Sequence, residues 1–410
     1  TSITMALTII LILIAALIAW IVYVAGWRFA LQRLGGALLI VVLVTFLTSF
    51  LLRQTGADEE QKQVLVELGL PAESAPCVSA LGTGADVDSV NQCVEERGLD
   101  QNVFGQYWTW ASDVLSGDLG YAFYKNREPL TTTIEQRLPR TIFLFVYSQL
   151  IALALAVPLG IWAAYHAGKK SRNIPFWALP AGLLVMIGIA VGLGWSLAAT
   201  LLIAVLIPVL IYSFLRGGPT GDNSVNAMAF VLLSLPVFVL GESLRYFLAI
   251  ENDWYQLTGY APWSEGASAH LQSVWLPALV LGLAATPVYL RLLRADMIQN
   301  LQQDYVAVAK AKGMSNTHIL LRHVLRPSTL TLITVAGLNI AQLVNGAIVV
   351  EFIFDFDGMG GYLIEAVYRR EFFAVQTLVA LVAVVFVIAN TLVDMLYTVV
   401  DPRVRAGDER

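Results

Sequence analysis

The chain has 410 residues, of which 57% are hydrophobic and 13% charged, and a net charge of −5. Its mean hydropathy is +0.69. A soluble domain of this size needs far more surface charge, so the composition excludes a soluble enzyme or binding module and predicts an all-α polytopic membrane protein.

A helix needs about 20 mainly apolar residues to cross the hydrocarbon core. About nine stretches meet that condition, near 5–25, 30–52, 140–165, 175–194, 195–215, 226–249, 273–293, 327–350 and 373–398. The first lacks a basic n-region and a clear small-residue cleavage site, so it is expected to be a retained span rather than a signal peptide. Between the fourth and fifth, Val191 to Trp195 offers a tight turn with almost no polar residue. Lys and Arg concentrate in alternate short loops: Arg28 and Arg33, then Lys169, Lys170 and Arg172, then Arg216, Arg291 to Arg326, and finally Arg403 and Arg405. With nine spans these loops share one side, which the positive-inside rule makes cytoplasmic. The N-terminus is then expected outside and the C-terminus inside.

The long loop from Arg53 to Arg137 falls outside, and its fourteen acids against six bases leave it near −8. Apolar spacing predicts helices over Gln61–Leu70 and Gly105–Leu115. The Pro-, Gly- and Ser-rich run from Pro71 to Asp88 reads as irregular chain. Cys77 and Cys93 are the only cysteines. Two thiols on the oxidising side suggest a disulfide, worth about 3 kcal/mol for a loop of about 15 residues; two unpaired thiols are the alternative. No histidine lies nearby to complete a metal site. Tyr107, Trp108 and Trp110 could lie on the bilayer surface or pack within the loop's own core.

Two smaller outer loops follow. Glu251–His270 carries Trp254, Tyr255, Tyr260 and Trp263, which fit either the mouth of a pathway or ordinary interfacial packing. In Glu351–Glu371, glycines at 358, 360 and 361 predict a tight turn before a short helix. Within the spans, Asn339, Gln342 and Asn345 recur at three-residue steps and could line a pathway or glue helices together. Glu242 and Arg245 are close enough along a helix to interact. Asp394 reads as helix glue.

Nothing in the chain calls for catalysis, a resident metal or a nucleic acid. His166, His270, His318 and His323 are scattered, and Gly168-Lys169-Lys170-Ser171 lacks the order a phosphate loop needs. The polar interruption from Asp296 to Pro327 is different in kind. Helical patterning runs to Lys312, Gly313 permits a turn, and Ser315 or Asn316 can cap a second short helix. Ala307, Ala309 and Ala311 give a narrow face that another protein could approach. A helix lying on the inner leaflet, anchored by Lys310, Lys312 and Arg322, is the competing reading.

Asp304–Ser315 (DYVAVAKAKGMS), followed by Arg322–Pro327 (RHVLRP), resembles the EAA loop of importer-type ABC permeases. The version is similar to the B-type subunit of the oligopeptide/dipeptide branch. Gly117–Gly120, Arg137–Thr141, Ser234–Phe238, Gly346–Phe354 and Leu392–Arg403 match that branch in order. The resemblance implies half of a translocation pathway, paired with a homologous C-type permease in the bacterial inner (plasma) membrane. Two ABC ATPase subunits, or one fused ATPase, would dock on the EAA loops and bind the ATP and Mg, with no cofactor in this chain itself. A substrate-binding protein would deliver peptide from outside. The coupling residues it implies are Asp304, Tyr305, Ala309, Lys310, Ala311, Lys312, Gly313, Met314, Ser315, Arg322 and His323.

Ala307 stands where the motif's Glu would be, and Asp357-Gly358 where Pro-Gly is usual. The expected organisation is an extra span at 1–26, a first core span at 27–52, and the disulfide-bearing outer loop at 53–138. A core span and turn follow at 139–173, an inserted hairpin at 174–223, and the remaining core at 224–410 with its coupling loop at 296–327. That makes six core spans plus about three. A secondary transporter or channel is the rival reading, but inverted repeats and midplane acids, its usual marks, are not evident.

Overall fold

The computed structural model describes residues 27–54, 59–71, 74, 77–78, 86–96, 99–122, 128–167, 221–255, 259–369 and 371–400. The expected spans near 5–25, 175–194 and 195–215 lie outside them. The described residues fall into two compact units, one up to Pro139 and again from Gly358, the other Arg140–Asp357.

The first unit contains α1 (Trp27–Gln54), α2 (Glu59–Leu68), α3 (Val87–Glu96), α4 (Val103–Ser116), a two-stranded hairpin and the opening turns of α5 (Leu130–His166). In the hairpin, Tyr121 pairs with Pro129 and Ala122 with Glu128, antiparallel. After the second unit the chain returns to add α13 (Met359–Tyr368) and α14 (Phe372–Val400). Helix α14 packs along α1, and α13 packs on α14. Leu130, Ile134, Tyr362, Ala366, Ala374 and Leu378 form its main core. A satellite core of Leu65, Val78, Val90 and Leu99 surrounds Cys77 and Cys93, which form a disulfide with Cα atoms 5.9 Å apart. Helix α3 starts at Val87, just after Asp86, whose carboxylate accepts from the Ser89 hydroxyl and N–H. Those bonds hold the Asp86 carboxyl below its ordinary value. Helix α4 is bounded by Asn102, which accepts from the Gly105 N–H at 2.7 Å, and by left-handed Gly117.

The second unit continues α5 and adds α6 (Gly221–Ser234), α7 (Val237–Arg245), α8 (Ala267–Leu301), α9 (Asp304–Ala311), α10 (Asn316–His318), α11 (Leu325–Leu338) and α12 (Ile340–Ile353). Wide π turns extend α7 over Tyr246–Glu251 and join α10 to α11 over Ile319–Val324. Helix α8 is the central element, packed against α6, α7, α11 and α12. Its Leu276, Leu281, Tyr289, Leu290, Leu293 and Met297 are fully buried.

Among the described residues three helical stretches are long and apolar enough to cross a membrane: Gly35–Leu52, Leu130–His166 and Ala267–Leu301. Two expected spans are not continuous helices. The one near 226–249 bends by 94° between α6 and α7. There Pro236 has no N–H to donate and pushes Leu235 away from helical backbone angles. The one near 327–350 is interrupted at Asn339, the residue between α11 and α12. Two assignments near its end also change. Glu351, expected in an outer loop, lies inside α12 and is buried. Gly360 and Gly361, expected in a turn, lie in the first turn of α13, and the left-handed positions are Asp355 and Asp357.

Candidate functional site

Helix α9 ends in a motif written into its backbone bonds. The Gly313 N–H donates to Lys310 O at 2.9 Å and the Met314 N–H to Ala309 O at 3.2 Å. Gly313 has a φ of +76°, so this is a Schellman stop with glycine at the left-handed position. Met314 packs on the core that contains Ala309, the apolar contact that accompanies such a stop. Ser315 then opens the next helix, its hydroxyl accepting from the His318 N–H at 3.3 Å. The predicted two-helix shape with its bend at Gly313 is therefore present.

The hairpin is seated on the ends of α8 and α11. The Asn300 amide donates to Asp296 O at 3.0 Å and to Ser328 Oγ at 3.1 Å, and its carbonyl accepts from the Tyr305 hydroxyl at 3.3 Å. The Ser328 hydroxyl donates in turn to Val324 O. Val306, Ala309, Ile319, Leu320 and Val324 are buried beneath. Desolvation raises the Tyr305 phenol above its ordinary pKa, and the nearby Asp296 charge adds to the rise.

Asp304, Tyr305, Lys310, Ala311, Lys312, Gly313, Ser315 and Arg322 share the exposed side, with Met314 and His323 half-buried. Ala309 does not belong with them: it faces inward, where only a small side chain lets α9 sit close. Val308 and Leu321, not singled out from the sequence, are exposed apolar residues on this hairpin. Their signal was available in part: an apolar residue on the outward side breaks the amphipathic pattern of a helix. The rings of His318 and His323 lie 5.6 Å apart.

The three polar residues expected along one span separate. Asn339 is buried, and its amide donates to the Tyr289 hydroxyl at 3.1 Å. Tyr289 donates to Gln149 Oε1 at 2.8 Å, and the Gln149 amide donates to Ala336 O at 3.1 Å. This chain of bonds ties α5, α8 and the α11–α12 break together, which makes Asn339 glue. Asn345 is exposed, and the Gln342 side chain lies outside the described residues. Glu242 and Arg245 do pair, at 3.1 Å, while the Asp394 side chain also lies outside the described residues.

A second cluster joins motifs far apart in sequence. Arg140 pairs with the Asp357 carboxylate, donates to Asp357 O at 3.0 Å and lies over the Tyr260 ring at 5.3 Å. Next to it in the chain, the buried Thr141 hydroxyl donates to Glu351 at 2.5 Å. His270 is wholly buried, stacked on Trp263 at 4.5 Å and met edge-on by Tyr260 and Phe143. Ala261 O, 2.8 Å from Nδ1, can only accept, so Nδ1 carries the proton and Nε2 faces the Tyr147 hydroxyl at 3.3 Å. Tyr255 is also buried, donating to Ser273 O at 2.6 Å, and burial pushes its phenol up. Of the loop aromatics, Tyr255 is thus a packing residue and Trp254 is exposed.

Comparison with known proteins bears on the family of the chain. Residues 204–406 match the family model described as "Binding-protein-dependent transport system inner membrane component". The dipeptide transport system permease protein of Escherichia coli is 30% identical over 386 residues, covering 92% of this chain and 98% of that protein. A protein named as a peptide ABC transporter permease in Sinorhizobium fredii is 26% identical over 377 residues, covering 92% of this chain and 99% of its own length. A protein named as a peptide transport system permease in Brucella abortus is 27% identical over 375 residues, again covering 92% of this chain. The matches to the three relatives run nearly end to end, and the chain belongs to the family of binding-protein-dependent transport system inner membrane components, as a multi-pass permease of the oligopeptide/dipeptide ABC type.

Proposed function

We propose that this permease imports peptides through the inner membrane, driven by ATP that partner subunits bind with Mg and hydrolyse. In this reading α9 and α10 form a cytoplasmic coupling hairpin, on which an ABC ATPase seats. The observation that carries it is the Gly313 stop. It ends α9 with Tyr305, Val308, Lys310 and Lys312 exposed, while Asn300, Tyr305 and Ser328 bond the base of the hairpin to α8 and α11. A push on the exposed residues passes into the 35-residue α8 and into α11 rather than into a loose loop. The N-terminus and the Cys77–Cys93 loop are then outside, where a substrate-binding protein delivers peptide, and the C-terminus is cytoplasmic. A homologous C-type permease completes the pathway. The peptide cargo follows the names of the relatives.

Replacing Gly313 tests the coupling role. A Cβ at this position meets nothing within 4 Å, so the effect of substitution comes from backbone angle rather than from crowding. Gly313→Pro fixes φ near −65° and removes the N–H that bonds Lys310 O. It is expected to abolish peptide uptake and capture of the ATPases while the chain still inserts in the membrane. Gly313→Asn, which tolerates left-handed angles, should retain most uptake. Normal uptake by Gly313→Pro would remove the coupling role from this hairpin.

A further inference from the structure

One exposed stripe of α4 is apolar, which a helix covering a water-soluble loop would turn inward. Phe104, Trp108 and Leu115 are 73%, 74% and 86% exposed. At about 100° per residue these three and Ala111 fall within about 60° of one another around the helix. Asp113, the one charged residue of α4, lies about 180° from Phe104. Asp113 is exposed, and Gln106, about 20° from it around the helix, is buried.

Helix α4 is also placed beside a span. It packs against α1, and the contacts fall inside α1's apolar stretch rather than at its end. The Phe104 ring stacks on Phe46 at 5.4 Å, and Tyr107 meets Phe46 edge-on at 5.4 Å. The Tyr107 hydroxyl is 2.8 Å from Thr45 Oγ1, and Thr45 is fully covered. The apolar stretch runs Gly35–Leu52, which puts Thr45 about 10 Å along the axis from its end at ~1.5 Å per residue. That stretch is only 11% buried, and its exposed Leu43, Leu47 and Leu51 continue the apolar surface. The tyrosine–threonine bond satisfies two hydroxyls at a depth where water is scarce.

We propose that α4 is a membrane-seated helix, embedded in the leaflet at the Gln54 end of α1, with Phe104, Trp108 and Leu115 against lipid acyl chains. The loop between α1 and α5 is thereby fastened to the bilayer on one side and keeps Asp113 turned away from it. The partner is lipid rather than protein because the exposed stripe continues the lipid-facing surface of α1. It also carries no charge, and its one hydrogen-bonding group is the Trp108 indole N–H. Trp108 fits the boundary region where indoles are favoured. The assignment does not depend on the cargo or on the coupling role of the Gly313 hairpin.

The test uses the full chain in vesicles of phosphatidylethanolamine and phosphatidylglycerol. Cys77 and Cys93 are joined and there is no free cysteine, so single nitroxide labels can be placed through Phe104→Cys, Trp108→Cys, Leu115→Cys and Asp113→Cys. Leu47→Cys on α1 serves as the lipid reference. The expected result is an oxygen-to-nickel-chelate collision ratio at 104, 108 and 115 close to that at 47 and several-fold above that at 113. High nickel-chelate access at 104, 108 and 115 would overturn the proposal by placing the stripe in water. Low access to both reagents would overturn it by placing the stripe under protein. All four α4 sites are surface positions, so the labels report the native fold, and a matching disulfide state confirms that fold for each variant.

Discussion

Single residues decide how closely the helices of the second unit approach. A Cβ on Gly282 would stand 2.9 Å from Ser148 O and 2.9 Å from Ile151 Cγ2. The carbonyl belongs to the α5 backbone and cannot turn aside, so α5 and α8 would have to separate. Gly282→Ala is expected to destabilise the protein by about 1–3 kcal/mol, the usual range for overpacking, seen as a lower midpoint of thermal unfolding in detergent. Tyr289 is the other key residue, because it both accepts from Asn339 and donates to Gln149. Tyr289→Phe strands the buried Asn339 amide and removes the donor to the half-buried Gln149 carbonyl, which should cost about 1–3 kcal/mol, whereas the exposed Asn345→Ala should change stability little by the same measurement. The sequence marked Asn339 as polar within an apolar stretch but offered no partner. Its partners come from α8 and, through Tyr289, from α5, more than a hundred residues away along the chain.

Elements differ in how far local signals define them. Helix α4 is bounded by Asn102 and Gly117, residue types that cap helices by their own chemistry, and α9 ends at the one residue type that enters the left-handed region freely. Those boundaries were legible. The bend between α6 and α7 was less so, since Pro236 sits in a run apolar enough to read as a single span. The disulfide belongs to this scale as well, since it fastens the short helix α3 to Cys77. Cys77→Ser with Cys93→Ser is expected to lower the protection of the α3 amides by about 3 kcal/mol, read by hydrogen exchange, with protection in α8 unchanged. Loss of protection throughout α8 would mean that the bridge supports more than its own loop.

At the scale of the whole molecule, the proposed function depends on sidedness. The disulfide loop and the Gly313 hairpin must lie on opposite faces of the membrane for delivery outside and coupling inside. A cysteine introduced by Lys312→Cys is expected to react with a membrane-impermeant maleimide only after permeabilisation. One introduced by Glu67→Cys, exposed on α2, should be accessible from the outer side in intact cells. Labelling at 312 in intact cells would invert the topology and remove the proposed ATPase contact. The match to the Escherichia coli dipeptide permease covers 92% of the chain, so the permease identity stands apart from that result.

By itself the sequence determined that this is a helical membrane protein, where several spans run, which two cysteines pair and where α9 must stop. Each follows from local physics: lipid leaves the backbone no partner but itself, two thiols have one pairing, and a left-handed angle selects glycine. Tertiary structure alone decided which way residues face. An apolar helix has no polar stripe to mark its inward side, so the burial of Ala309 and Glu351, the destination of Asn339 and the outward aromatic stripe of α4 emerged only when distant segments were brought together.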